Sequence, residues 1–223
     1  MSGANHRGTV SGANHTSTVN GANRTSTLPA GLELGDTARR ILCAAAELFA
    51  TRGFHGTSMR ELADASELRA PSIYEHFGSK EQLLDRLIVV GRDVAIVELD
   101  RAAAAAGPTP PERLDAAVTT LVGIHTTWPA LMRVLTDDVH GVGASTLHTA
   151  AAARLELSLR LGQILTDGEV SGDFRVGNLV ATVAAVHGLL IRIPHWFTPG
   201  EDYGVDDLTR DYRQLVRAML HVR

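Results

Sequence analysis

The sequence predicts an all-α fold of about nine helices, in which a small three-helix unit is followed by a larger helical unit. Two observations favour this class. From residue 36 onward, apolar residues recur at three- and four-residue spacing, as on one face of a helix. No segment alternates convincingly between apolar and polar residues with the period of two that marks a half-buried strand.

The composition predicts a soluble globular protein of a reducing compartment. With 223 residues, 44% of them hydrophobic, the chain is long enough for two units that each bury a core. No apolar run is recognised that reaches the roughly 18 to 20 residues of a membrane-spanning helix. The N-terminus has no apolar signal-peptide core, and the single cysteine, Cys43, cannot form an internal disulfide. We therefore expect a cytoplasmic protein without membrane contact, in which Cys43 is a small buried side chain.

The N-terminal segment, residues 1–34, is predicted to be disordered. It repeats a nine-residue unit three times, as SGANHRGTV, SGANHTSTV and NGANRTSTL. The Gly, Asn, Ser and Thr content of this unit offers little apolar surface to bury. Arg7 and Arg24 would suit an arm that enters a DNA minor groove, but a solvated tail is the favoured interpretation.

Residues 35–82 predict a DNA-reading unit. Its first helix covers residues 36–51, with Asp36 or Thr37 as the N-cap and Gly53 as a left-handed end. Its second helix begins at Ser58, which forms a capping box with a glutamate three residues later.

The third helix of this unit follows a corner at residues 67–69 and carries Pro71 in its first turn, where a missing amide hydrogen costs nothing. Ile73 and Phe77 face inward, whereas Tyr74 and its polar neighbours face outward. Two short helices joined by a tight corner, the second polar on one side, form a helix-turn-helix. The second helix of such a motif fits a DNA major groove.

The run from Thr37 to about Leu87 resembles the DNA-binding domain of the TetR/AcrR family of bacterial transcriptional repressors. The resemblance rests on the stretches LFATRGFHGTSMRELADAS and SIYEHFGSKEQLL. The chain departs from the family at Glu67, where a glycine is usual, and at Arg69, where a serine often caps the recognition helix. A non-glycine residue with positive φ costs roughly 1 kcal/mol, which favours a different shape for the corner.

The resemblance also implies which residues contact DNA. Ser72 and Tyr74 would touch bases, helped by Thr57, Arg60 and Arg69, and phosphates would be held by His76 and Lys80. Ser58, Ala70 and Pro71 complete the expected contact surface. The formal net charge of −4 is unusual for a nucleic-acid binder. Basic side chains nevertheless slightly outnumber acidic ones in residues 37–80, so the acidity is expected mainly in the second unit.

Residues 83–223 are predicted to form the larger unit, which matches the family in layout only. A long helix begins at Ser79, where Gln82 completes a capping box, and runs to the break at Gly107-Pro108. Further helices are predicted at about residues 112–127, 129–138, 144–167, 176–193 and 205–222. In the family, this part holds a small-molecule pocket and a homodimer interface.

The candidate pocket residues are bulky or polar side chains within apolar helices, as a mostly apolar ligand site requires. They are His125, Trp128, Met132, Leu135, His140, Leu147 and Arg154. Each of them is alternatively a core or surface residue, and Trp128 suits a helix junction equally well.

Two apolar segments predict the dimer interface, one from Leu179 to Ile193 and one in the last helix with Leu215 and Met219. Together with their copies they would form a four-helix seam, although an intramolecular core is the alternative. Between them, PHWFTPG at residues 194–200 resembles a turn in family members that control CoA-linked degradation. This resemblance favours an acyl-CoA or a hydrophobic acid as inducer over drug-like efflux inducers.

Neither a metal nor a cofactor nor a catalytic site is expected. His140, His148, His187 and His195 lack the short spacings of zinc ligands, and no nucleophile elbow, phosphate loop or redox cysteine pair is recognised. The leading hypothesis is a homodimeric repressor that a small ligand releases from a near-palindromic operator. The alternatives are a ligand-independent regulator or activator, and an enzyme with a helical docking head.

Overall fold

The computed structural model describes residues 27–137 and 141–222, which are all-helical apart from loops, as the sequence predicts. Helices α1 to α5 are Asp36–Arg52, Met59–Ala65, Ala70–His76, Lys80–Ala105 and Pro110–Thr127. Helices α6 to α10 are Pro129–Thr136, Ala144–Ser171, Leu179–Ile191, Ile193–Trp196 and Val205–Met219. The described residues thus contain one helix more than the number expected, because the single turn α9 was not predicted.

Local signals set most of the helix starts. The capping box at Ser58 is present in full. At Ser79 only half of the predicted box forms, because Gln82 donates its amide to Ser79 but accepts from Gly78 at 2.8 Å. The N-cap of α1 is Gly35 rather than either predicted residue.

The end of α1 also differs from the prediction. Gly53 has a φ of 76° and a ψ of 163°, so it has the expected positive φ but lies outside the left-handed helical region. Residues with a side chain rarely adopt this conformation, which is why glycine ends the helix here.

Helices α1, α2 and α3 form the reading head, which packs on the first turns of α4. Ile41, Leu62, Ile73 and Leu84, each at most 1% exposed, share its core. Helix α4 has 26 residues and therefore extends for about 39 Å, at about 1.5 Å per residue. It leads from the head into the second unit, called the body below.

Helix α6 is the element of the body that touches the head most closely, because it packs against both α1 and α4. Where α4 and α6 cross, a Cβ atom added to Gly91 would lie 2.5 Å from Leu135 Cδ1. That distance is shorter than real carbon contacts, so any side chain at this position would force Leu135 to shift.

The body is built around α5, which packs against α4, α7, α8 and α10. Leu114 and Val118 of α5 are fully buried there, together with Leu161 of α7 and Val216 of α10. Ion pairs also join these helices. Arg113 of α5 lies 2.9 Å from Asp167 of α7, and Arg213 of α10 pairs with Asp115 of α5.

Part of the segment that the sequence predicts to be disordered is structured. Residues 27–34, expected to belong to the disordered tail, pack along α1. Leu28 is fully buried, and Arg39 donates hydrogen bonds to the carbonyl oxygens of Pro29 at 2.8 Å and Ala30 at 3.2 Å. The mean composition of residues 1–34 is polar, so the short apolar run within residues 27–34 was not recognised. The rest of the repeats, with Arg7 and Arg24, lies outside the described residues.

Among the described residues, one stretch has the length and composition expected of a membrane span. The expectation that no apolar run is long enough to span a membrane was therefore wrong. The stretch is Leu179–Trp196, 18 residues with a mean hydropathy of 1.3. Core helices of soluble proteins pass the same test, and here the stretch is divided between α8 and α9 and packs against α5 and α7. Only 28% of it is buried within the described chain, so it carries an exposed apolar face.

Candidate functional site

The corner between α2 and α3 keeps the shape of a helix-turn-helix although Glu67 occupies its left-handed position. Glu67 has a φ of 56°. The Leu68 amide donates to the Ala63 carbonyl at 2.9 Å, and the Glu67 amide donates to the Asp64 carbonyl at 3.1 Å. These two hydrogen bonds form a Schellman motif, which usually has glycine at this position. The expected change of shape is therefore wrong, and the corner retains roughly 1 kcal/mol of strain instead.

Helix α3 buries one face and exposes the other. Ile73 is fully buried in the head core, whereas Tyr74 is 54% exposed. The other predicted DNA contacts with exposed side chains are Arg60, Ser58, Arg69, Ala70, Pro71 and His76, while Ser72 is half-buried. Arg69 is the N-cap residue of α3, yet its side chain makes no capping hydrogen bond. A polar and basic surface thus borders the exposed face of α3.

Two of the predicted DNA contacts have structural roles at the start of α2. Thr57 is 2% exposed, and its hydroxyl donates to the Gly53 carbonyl at 3.0 Å. The Ser58 hydroxyl accepts from the Glu61 amide at 3.2 Å and donates to its carboxylate at 2.8 Å. The hydrogen bonds that the Ser58 hydroxyl and the Ser58 amide donate to the Glu61 carboxylate also hold the pKa of Glu61 below its ordinary value. Thr57 is buried, so its side chain does not reach the surface expected to contact bases.

Lys80 likewise has a role that the sequence did not predict. Its Nζ donates to the carbonyl oxygens of Phe54 and Thr57, both at 2.7 Å, and lies 4.4 Å from the centroid of the Phe54 ring. Two of its three N–H donors are thus used within the protein, and the aromatic face attracts the cation further. The ammonium group holds the α1–α2 loop against the start of α4, which leaves one donor for the expected phosphate contact.

A partly enclosed cavity, called the enclosed cavity below, lies in the body between α4, α5, α6, α7 and α8, and has a volume of about 110 Å³. Four of the predicted pocket residues line it, namely His125, Met132, Leu135 and Arg154. Trp128 lines a neighbouring cleft instead. Leu147 lines neither space and is 51% exposed, and His140 lies outside the described residues.

Two further polar residues line this cavity, Thr136 and His187, and neither was predicted from the sequence. Their signal was weak but present. His187 is the one charged or strongly polar side chain within the otherwise apolar α8, and Thr136 lies one helical turn after Met132. Burial lowers the pKa of His187, and the positive charge of Arg154 lowers it further.

His125 is the most deeply buried titratable group of the cavity, with 5% of its surface exposed. Its Nδ1 lies 2.6 Å from the Leu121 carbonyl oxygen, one turn earlier in α5. Burial lowers the pKa of His125 to about 4 despite this hydrogen bond. The ring is therefore neutral near pH 7.

An open cleft of about 420 Å³ lies between the head and the body. Its walls come from α1, from the corner between α5 and α6, and from the turn after α9. The cleft is lined by Glu47, Trp128, Arg133 and Phe197, and by several threonines. The Nε atom of Arg133 is buried and has no hydrogen-bond partner among the described residues.

The predicted dimer segments are buried on one side and exposed on the other. Val183, Val186 and Val216 belong to the chain's own core, so for these residues the intramolecular alternative is right. Among the large apolar side chains left exposed on α7, α8 and α10 are Leu155, Leu159, Val180, Leu215 and Met219. Val180 is 79% exposed and Leu159 63%. The contribution of α7 to this apolar surface was not predicted.

Candidate metal sites are not found in the described part of the chain, where no three histidine, cysteine, aspartate or glutamate side chains form a group suited to a metal ion. The hydrogen-bond partners of His195 are instead protein groups. Its Nε2 lies 3.2 Å from the Thr136 hydroxyl and 3.4 Å from the Asp137 carboxylate.

Two family profiles match the chain. The profile of bacterial regulatory proteins of the tetR family matches residues 41–87. The profile of the tetracyclin repressor-like C-terminal domain matches residues 107–220, which is more than half of the 223 residues. The matches therefore extend over both the head and the body.

Individual relatives agree with these profiles. The HTH-type transcriptional repressor KstR2 of Rhodococcus jostii (strain RHA1) is 28% identical over 201 residues, which cover 84% of this chain and 94% of the relative. A bacterial regulatory protein in the tetR family from Rhodococcus RHA1 superposes with a TM-score of 0.77 at 26% identity, covering 85% of this chain and 100% of that one. AibR in complex with isovaleryl coenzyme A and operator DNA superposes with a TM-score of 0.74 at 23% identity, covering 81% and 98%. The likeness to AibR concerns the fold alone.

Proposed function

This chain belongs to the TetR family of bacterial regulatory proteins, whose members are DNA-binding transcriptional regulators and not enzymes, and we propose that it is a homodimeric repressor released by a small ligand. The observation that carries the proposal is the helix-turn-helix corner that presents the exposed face of α3. We further propose that it acts in the cytoplasm, where operator DNA is accessible.

The head would read DNA through α3 in the major groove. Tyr74 lies on the exposed face of α3 and the half-buried Ser72 lies beside Ile73, and both would meet base edges. Arg60 and Arg69, which are expected to help with base contacts, flank them and would also contact phosphates, as would His76. Phosphate contacts position the head without reading sequence. A twofold pair of heads would then read half-sites about one helical turn, roughly 34 Å, apart or a little more.

A second copy of the chain would cover the apolar surface of the body. Large side chains on α7, α8 and α10 are exposed there, and side chains such as Val180 cost free energy when they remain in water. The small residues Ala181, Ala184 and Ala185 along the exposed side of α8 would permit close approach of a helix from the partner. A twofold axis through this surface gives both subunits the same contact.

Helix α6 would couple the ligand to DNA. Met132, Leu135 and Thr136 of α6 line the enclosed cavity, while the same helix packs against α1 and crosses α4 at Gly91 without free space. A ligand that moves α6 must therefore move α1 or α4, and with them the spacing of the two heads. By thermodynamic linkage, the ligand weakens DNA binding by the same factor as DNA weakens ligand binding.

The inducer is proposed to be a short acyl-CoA or a hydrophobic acid. The enclosed cavity is mostly apolar but has polar groups at a few places, as ligand sites do. AibR, which shares the fold, has been crystallised with isovaleryl coenzyme A and operator DNA. That complex motivates the choice of thioesters as first ligands.

The deciding experiment is footprinting of the purified protein on the DNA that flanks its own gene, repeated with acetyl-, isovaleryl- and octanoyl-CoA. We expect a protected near-palindrome, and at least a fivefold loss of affinity with one thioester, in the range typical of allosteric coupling. If the protein prefers no DNA duplex over others at moderate salt, the proposed function as a DNA-binding regulator is refuted.

Transcription from the protected promoter separates repression from activation. Deletion of the regulator should raise expression of the adjacent gene, and a fall in expression would instead identify an activator. Affinity that no ligand changes, together with protection of DNA, would favour the ligand-independent alternative.

A further inference from the structure

His125 lies at the boundary between the enclosed cavity and the open cleft. It is the one described residue that lines both the enclosed cavity and the open cleft. It belongs to the last turn of α5, with Leu121 one turn before it on the cavity side and Trp128 after it on the cleft side. A ligand that occupied both spaces would have to pass this ring.

A backbone group determines which nitrogen of His125 carries the proton. Nδ1 lies within hydrogen-bond distance of the Leu121 carbonyl oxygen, and a carbonyl oxygen can only accept. Nδ1 is therefore protonated and donates, so in the neutral ring Nε2 keeps its lone pair. Because burial keeps the pKa of His125 near 4, the ring stays in this form at neutral pH and can offer an acceptor but not a positive charge.

The two spaces differ in size and in polarity. The enclosed cavity, about 110 Å³, is smaller than the roughly 300 to 1,000 Å³ of a typical small-molecule site, so by itself it accommodates only a short group. The cleft is larger, about 420 Å³, and holds the buried Nε of Arg133 that lacks a partner among the described residues. An acceptor on a ligand would satisfy this donor.

We propose that the cavity and the cleft form one ligand site, a proposal that rests on the proposed function. In this site His125 selects a ligand that has a short apolar group, then an N–H or O–H donor, and then a larger anionic part. The apolar group enters the enclosed cavity, the donor meets Nε2 of His125, and the anionic part lies in the cleft beside Arg133. An acyl thioester of coenzyme A has its groups in this order, because amide N–H groups separate the acyl end from the phosphates. A free carboxylate offers acceptors only.

Two charged residues compete with this preference. Arg154 lines the enclosed cavity, and a carboxylate there would gain a charge-assisted hydrogen bond from it. Glu47 lines the cleft and opposes an anionic ligand, although its carboxylate already accepts a hydrogen bond from Thr27 at 2.8 Å. The free acid and the thioester must therefore be compared directly.

The test is calorimetric titration of the full-length protein with isovaleryl-CoA, isovalerate and coenzyme A. We expect the thioester to bind at least tenfold more tightly than either of its parts. His125→Phe should lose at least tenfold for the thioester, because it leaves the ligand's donor unpaired. His125→Gln, whose side-chain oxygen can replace the acceptor, should lose less than threefold, and His148→Gln, on the exposed side of α7, should bind as the wild type does.

Several outcomes would overturn the inference. Isovalerate binding as tightly as the thioester would assign the cavity to Arg154 and a free acid. Equal losses in His125→Phe and His125→Gln would remove the acceptor role, and failure of acetyl-, isovaleryl- and octanoyl-CoA alike would remove the two-part site. Operator binding by the same preparation tests separately whether the protein is a DNA-binding regulator. If operator binding is retained without thioester binding, the proposed regulator function is supported and the proposed ligand site is refuted.

Discussion

The head and the body use their buried and half-buried polar groups in different ways. In the head, the Thr57 hydroxyl and the Lys80 ammonium group bind backbone carbonyl oxygens and hold loops in place. In the body, His125 and His187 line a cavity, where part of their hydrogen-bonding capacity is available to a ligand. The head therefore presents its function on an exposed helix face, whereas the body encloses it. Substitutions should accordingly act on DNA binding in the head, and on assembly or ligand response in the body.

The largest expected effect comes from the body although it is measured on DNA. Val180→Arg places a charge in the exposed apolar surface of α8 and should separate the dimer, since a buried unpaired charge is costly. Each head then binds alone, and operator affinity falls by roughly 10² to 10⁴-fold because the second contact is no longer intramolecular.

Analytical ultracentrifugation and fluorescence anisotropy would measure the two consequences together. Val97→Arg is the matched control, because Val97 is a 53% exposed apolar residue on α4 rather than on α7, α8 or α10. A Val180→Arg protein that stays dimeric would place the interface elsewhere and weaken the contrast between head and body.

A smaller effect is expected from the head itself. Tyr74→Ala removes a 54% exposed side chain from α3, so the fold should be unaffected. Operator affinity should fall by roughly 30- to 1,000-fold, since a base contact in the lower part of the usual range, about 1 to 2 kcal/mol, is lost in both copies of the dimer. Competition with mutated operators would show a changed base preference. Uniform weakening across all sequences would instead make Tyr74 a phosphate contact.

The buried histidine of the body predicts a pH dependence of stability. Burial lowers the pKa of His125 from 6.5 to about 4, so the unfolded chain binds a proton in this interval while the folded chain does not. The stability that His125 contributes is therefore present above pH 6.5 and is lost as the pH falls towards 4. The loss is on the order of 3 kcal/mol at most.

Denaturant unfolding of His125→Phe at pH 7.5 and pH 5 would measure this contribution. The variant should lose less stability on acidification than the wild type, while His148→Phe, on the exposed side of α7, should follow the wild type. The remaining slope of His125→Phe would come partly from His187 and His195, whose pKa values burial also lowers. Identical slopes for His125→Phe and the wild type would mean that the ring is not desolvated in the fold.

Lys80 tests whether the head separates structural cations from DNA-binding ones. Lys80→Met keeps the aliphatic stem but leaves the carbonyl oxygens of Phe54 and Thr57 without their donor. We expect a loss of about 1 to 3 kcal/mol of unfolding free energy, and a nearly unchanged dependence of operator affinity on salt. Arg69→Met should do the reverse, reducing the salt slope by about 0.9 for each phosphate that the protein no longer neutralises. A Lys80→Met protein of normal stability with a reduced slope would assign Lys80 to phosphate binding rather than to the fold.

Local signals made the head predictable, and non-local packing limited the prediction of the body. The Ser58 capping box and Pro71 act within a few residues, so the sequence alone placed α2 and α3 correctly. The partners of Lys80 lie 23 and 26 residues away, and no local pattern indicates them. The cavity is formed by residues of five helices that are distant in sequence. His125 was therefore recognised as a candidate from the sequence, whereas the weaker signal of His187 was recognised only from the structure.

The smallest expected effect concerns the corner between α2 and α3. Glu67 has a φ of 56°, a conformation that costs a non-glycine residue roughly 1 kcal/mol. Glu67→Gly removes that cost, but glycine also loses more backbone entropy on folding. We expect a net gain of no more than about 1 kcal/mol in unfolding free energy. Because Glu67 is exposed beside the DNA-reading surface, losing its charge should also strengthen operator binding slightly.

Glu67→Gln separates the two effects, because it removes the charge but keeps the strained backbone. Thermal unfolding should therefore show a gain in stability for the glycine variant only. Fluorescence anisotropy should show the same small gain in operator affinity for both variants. A glycine variant that is less stable than the glutamine variant would show that the Schellman hydrogen bonds from Leu68 and residue 67 already compensate for the strain. The departure from glycine at this position would then have no cost in stability.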